Sequence, residues 1–129
     1  MIFADMRAST TLREAAVALF LLVGFYPGVA VAHAVLLDST PAHGAVLDAS
    51  PPAITFHFNV RLERALARVS LSDRRNKQVR LEVAADSADD RLVVRVPPLD
   101  AGVYMVTYRV LAKDGHISEG SLRFTVREH

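Results

Sequence analysis

From residue 33 onward, apolar and polar residues alternate in short segments with a period of two, and no long apolar stripe at helical spacing is present. Ile54, Phe56 and Phe58 interleave with Thr55, His57 and Asn59, which predicts a half-buried strand with His57 on its outer face. The longest alternation, Val103 to Leu111, places Tyr104, Val106, Tyr108 and Val110 on one side, and a last strand from Ser121 to Val126 places Leu122, Phe124 and Val126 on another. Shorter strands fit residues 34–38, 67–71, 79–83 and 92–96. Turn-forming residues separate them, at 39–44, 48–52, 73–77, 86–91 and Pro97-Pro98. About seven short antiparallel strands predict an all-β, immunoglobulin-like β-sandwich with Greek-key connections. Tyr104, just after the turn at Gly102, suits a tyrosine corner. Residues 61–68 fit either one helical turn or an irregular crossover.

The first 32 residues follow a different rule. Ala15 to Tyr26 carry no charge, Arg7 and Arg13 precede them, and the small-x-small tripeptide Ala30-Val31-Ala32 closes the segment. A basic start, an apolar middle of about a dozen residues and a small-residue exit predict a secretory signal peptide cleaved after Ala32. A membrane anchor needs about 20 apolar residues in a row, and Pro27-Gly28 interrupts this run too early. The predicted organisation is a signal peptide over 1–32 and one exported domain over 33–129, with no stable membrane insertion after cleavage.

Charge then narrows the partners. The whole chain carries a net charge of +1, and the signal segment removes Arg7 and Arg13 with Asp5 and Glu14, so the balance is unchanged. Such a balance gives no electrostatic case for nucleic acid or an anionic lipid surface. Cysteine is absent, so the exported domain does without disulfides and any metal site must use nitrogen, oxygen or thioether donors. Only Met105 of the three methionines lies after residue 32, whereas all five histidines do.

Cleavage after Ala32 would make His33 the first residue. Its α-amine and ring Nδ1 could then close a chelate on one ion, a pair of donors that costs little ordering because both belong to one residue. A second donor group lies between the last two predicted strands, in the segment Leu111 to Gly120, where Asp114 and His116 stand two residues apart. If the backbone stays extended there, the two side chains point the same way. Taken alone, Asp114-Gly115 is a common hairpin-turn signal and His116 ordinary solvated surface. Together with His33 they make three nitrogens and one oxygen in roughly a plane, a set suited to Cu(II). Zinc would accept the same donors in a tetrahedral array, and nickel is a further alternative.

The exported part resembles the CopC family of periplasmic copper-binding proteins over nearly all of residues 33 to 129. The resemblance rests on His33 after the cleavage point, STPAHGAVL at 39–47, ITFHFN at 54–59, LDAGVYMVTYRV at 99–110, and DGH at 114–116 followed by GSLRFTV at 120–126. It implies an immunoglobulin-like sandwich and a single Cu(II) ion held by His33, through amine and ring, with Asp114 and His116. It also implies sequestration or carriage of copper for resistance or homeostasis, with delivery toward a CopD-type inner-membrane protein on a separate chain. Three departures stand out. The methionine-rich Cu(I) loop of many members has no counterpart; Phe58-Asn59-Val60-Arg61 lacks the acid that often follows the second strand; and Tyr108 stands where Trp is common.

The other histidines are expected to be peripheral: His43 as a solvated polar side chain or a weak axial contact, His57 as an outward residue, His129 as a flexible end. The basic group Arg74-Arg75-Lys77 reads as a solvated turn. A copper carrier without enzymatic activity is the leading reading. The alternatives are a copper monooxygenase of the histidine-brace type, which the charged Asp114 and the absence of tryptophan oppose, and a metal-free interaction domain.

Overall fold

The structure is a computed structural model and describes residues 33–128. The signal segment expected over 1–32 and the flexible end expected at His129 lie outside the described residues. The strands are β1 (Leu36–Thr40), β2 (Ala45–Leu47), β3 (Ala53–Phe58), β4 (Arg68–Ser72), β5 (Gln78–Val83), β6 (Arg91–Arg95), β7 (Gly102–Leu111) and β8 (Ile117–Val126), with one 3₁₀ turn at Arg64–Leu66. They form an all-β fold in the order β1-β3-β6-β5-β4-β7-β8-β2. All pairings are antiparallel except that of β2 with β8.

The two layers of the expected sandwich are joined into one curled sheet, with β5 making the corner. Its first residues pair with β4, while Glu82 and Val83 pair with Arg95 and Val94 of β6. The described strands number eight rather than seven, because β2 holds only three residues and runs parallel along the edge of β8. β8 also starts at Ile117, ahead of the expected Ser121, and β1 covers 36–40 in place of 34–38. The open stretch at 61–68 resolves into the 3₁₀ turn, preceded by a buried Leu62 that bridges to Ala112.

Alternation places the core as expected. β3 buries every second residue: Ile54 and Phe56 lie beside their β6 partners Val94 and Leu92, and with Phe58 they share one core with Val69, Val106, Leu122 and Phe124. Each such side chain contributes about 1.5–3 kcal/mol by leaving water. Tyr108 extends this core, its ring standing edge-on to Phe56 and Phe58 at 5.5 Å from each. Its direct partner across the β7–β8 pair is Gly120, and a Cβ there would collide with the Tyr108 ring. The aromatic ring covers the space that the glycine leaves empty.

The tyrosine corner is present: the Tyr104 hydroxyl donates to the Asp100 carbonyl at 2.7 Å. Burial, with the nearby Asp100 and Asp73 carboxylates, pushes its phenol above the ordinary 10.0. Burial alone does the same for Tyr108.

Candidate metal centre

The β7–β8 connection is a tight hairpin built on residues 112–116. Gly115 N–H donates to the Ala112 carbonyl at 2.9 Å and Ala112 N–H to the His116 carbonyl at 2.9 Å. Gly115 has φ +92°, the left-handed conformation that closes a three-residue hairpin loop. Asp114 Oδ1 accepts from the His116 N–H at 3.1 Å, an Asx-type turn that folds the carboxylate back over the histidine. Asp114 and His116 therefore meet through turn curvature. The extended backbone that would align residues two apart is absent here.

The loop is anchored from below. Lys113 N–H donates to the Arg61 carbonyl at 3.0 Å, Glu63 N–H to the Leu111 carbonyl at 2.8 Å, and Lys113 Nζ lies 3.2 Å from Glu63 Oε1. These contacts tie the hairpin to the segment before the 3₁₀ turn and hold its outer face in place.

The other half arrives with the start of β1. The His33 and His116 rings stand edge to face, centroids 5.6 Å apart. What places His33 there is Asn59, at the end of β3: Val35 N–H donates to Asn59 Oδ1 at 2.8 Å, and Asn59 N–H donates to the Val35 carbonyl at 3.1 Å. Sequence reasoning saw at Asn59 only a missing acid. Its clamping of the segment that carries His33, just before β1, depends on a tertiary pairing, and a polar residue ending an apolar alternation is the sole local hint.

Within this group, His116 Nδ1 is buried and makes no hydrogen bond, although Asp114 Oδ1 lies 3.2 Å away. The two findings agree, because the oxygen is within ion-pair distance but off the ring's hydrogen-bonding direction, being turned to the His116 amide. A buried polar atom without a hydrogen bond carries a desolvation cost of about 1–3 kcal/mol. A metal bond to that nitrogen itself would offset it. Among the described residues, no three His, Asp or Glu side chains converge closely enough to hold an ion as they stand. In the uncleaved chain the His33 nitrogen is an amide linked to Ala32, so one donor of the expected set arises only on cleavage.

The other described histidines, His43 and His57, have different partners. His43 Nδ1 accepts from the Arg123 N–H at 3.1 Å and helps seat β2 against β8. His57 lies between two carboxylates, Nδ1 2.9 Å from Asp38 and Nε2 3.4 Å from Asp90. It is half-buried rather than simply outward, since the acids come from β1 and from the loop before β6. Its two nitrogens face different partners, so it does not present a chelating pair. Met105 lies within β7, opposite Arg123.

A family model for the CopC domain matches residues 36–127. Protein YobA of Escherichia coli K12 is 30% identical over 99 residues, covering 74% of this chain and 80% of that protein. Copper resistance protein C of Pseudomonas syringae pv. tomato is 28% identical over 123 residues, covering 89% and 97%. Among solved structures, CopC from Methylosinus trichosporium OB3b superposes with a TM-score of 0.69 at 35% identity, covering 75% of this chain and 96% of that one. The domain match spans most of the chain, and the curled eight-stranded sheet agrees with the superposed fold. The chain belongs to the CopC family of copper resistance proteins.

Proposed function

We propose that the chain is exported to the periplasm, loses residues 1–32, and binds one Cu(II) ion through the His33 amine and ring, the Asp114 carboxylate and a His116 ring nitrogen. Copper is its cargo, held for sequestration or for transfer toward a CopD-type inner-membrane protein. The observation that carries this reading is the approach of the His33 and His116 rings at 5.6 Å, with the Asp114 carboxylate 3.2 Å from His116. Family membership supports copper as the ion. The donor chemistry supports the oxidised state: nitrogen and oxygen ligands favour Cu(II), and Cu(I) prefers thiolates and thioethers. A charged carboxylate in the donor set further stabilises the divalent ion, which fits storage and carriage better than redox turnover.

The test compares chains that begin at His33 and at Ala32, titrated with Cu(II) against a competing chelator. Turning the His33 amine into a peptide nitrogen should weaken binding by at least about a hundredfold, more than the 10–100-fold typical of changes to residues that only support the ligands. Equal affinity in the two chains would overturn amine ligation.

A further inference from the structure

Beside the Asp114–His116 loop lies a groove that copper binding does not use. Leu66, Leu111 and Ile117 line an open cavity of about 240 Å³ whose rim carries Arg68 and Arg109. Leu66 projects from the 3₁₀ turn and is 56% exposed; Ile117 follows His116 directly and is 52% exposed. Single exposed aliphatic residues are ordinary, but two large ones on one groove form a patch.

The rim is unusual in its charge. Arg68 of β4 and Arg109 of β7 are direct cross-strand partners, and like charges placed opposite one another are destabilising. Glu119 offsets one of them, at 3.1 Å from Arg109. Arg68 instead donates to the Ala65 and Ala67 carbonyls at 3.2 and 2.9 Å, and no carboxylate among the described residues pairs with it. Past these arginines the surface continues into a second groove of about 510 Å³, lined by Ser70, Thr107 and Ser121. An occupant matched to this surface seats an aliphatic side chain between Leu66 and Ile117, lays carboxylates on Arg68 and Arg109, and offers polar main-chain groups to the hydroxyls.

We propose that this groove is a docking site for an extended acidic segment of a partner protein, one whose carboxylates flank an aliphatic side chain. A protein segment fits better than an anionic membrane: the surface is concave, its apolar part is confined to one end, and Glu119 sits among the arginines. A segment docked here lies next to Ile117, one residue from His116, so a partner would be held beside the metal loop. The proposal goes beyond the copper reading and does not depend on it.

The test uses the chain from His33 to His129 without added metal, and a short synthetic peptide of the pattern Asp-Ser-Leu-Ser-Asp, in which the acidic and aliphatic side chains, two residues apart, share one face of the extended backbone. Amide NMR should show shifts at Leu66, Arg109, Leu111 and Ile117. The double variant Arg68→Glu, Arg109→Glu should weaken the peptide by about tenfold or more, as loss of complementary charge does, and Ile117→Ser should weaken it with the charges intact. Circular dichroism checks that each variant is folded. A lysine-leucine peptide should not bind. The proposal is overturned if the acidic peptide fails to bind, if shifts map elsewhere, if charge reversal leaves binding unchanged, or if vesicles of phosphatidylglycerol capture the chain through these arginines while the peptide does not. Because no copper is present, failure here leaves the metal site untouched.

Discussion

The imidazoles of His33 and His116, separated by 83 positions in sequence, meet edge to face at 5.6 Å. One belongs to the approach to β1 and the other to the β7–β8 hairpin, so their contact exists only in the folded sheet. This is why the two halves of the proposed site must be tested together.

Replacing His116 with alanine should reduce Cu(II) affinity by more than about a hundredfold, the upper range for outer-shell changes. His57→Ala should leave it unchanged, since the two nitrogens of that ring face Asp38 and Asp90. Chelator competition on both variants decides the assignment, and equal losses would contradict it.

Affinity should also depend on pH. An α-amine has a reference pKa of about 7.7–8.0 and must lose its proton to coordinate. Binding therefore strengthens as pH rises from about 5 to about 8, and protons are released on loading. Titration calorimetry in buffers of different ionisation enthalpy measures that release; a flat profile would count against a terminal amine ligand.

Asn59→Ala removes the acceptor for the Val35 N–H and loosens the strand leading to His33. The expected stability cost is about 1 kcal/mol, with copper affinity lowered by about tenfold, the lower end of an outer-shell change. Asn59→Asp retains an acceptor and should restore most of both. Thermal melts and copper competition on the pair separate positioning from a general loss of fold.

Tyr104→Phe deletes the corner hydrogen bond to Asp100 and should cost about 1 kcal/mol. In the unaltered protein the Tyr104 phenol stays protonated above its ordinary 10.0 because it is buried near Asp100 and Asp73. A raised folded-state pKa means that its contribution is fully present below pH 10.0 and is lost as pH climbs through the folded value. Denaturant melts above and below that pH should show the decline, and it should be smaller in the Phe variant.

Much of the fold was legible because burial on one face imposes a period of two. Ile54, Phe56 and Phe58, or Leu122, Phe124 and Val126, announce their strands directly. β2 was not legible: three residues paired parallel to an edge carry too little alternation to stand out. The first half of β8 was hidden for a different reason. Its inward positions are Ser118 and Gly120, and the space above Gly120 is filled from β7 by Tyr108. For the candidate site, His33, Asp114 and His116 were suggested by processing and donor chemistry, but the clamp at Asn59 was not. The paired carboxylates around His57 were equally invisible, since Asp38 and Asp90 reach it from distant segments.

Intact-mass spectrometry of secreted protein under native conditions, with and without one equivalent of Cu(II), reads the cleavage point and the copper stoichiometry in one spectrum. The expected species is a chain that begins at His33 and gains the mass of a single copper ion. Material that starts at any other residue and takes up copper equally well would contradict it.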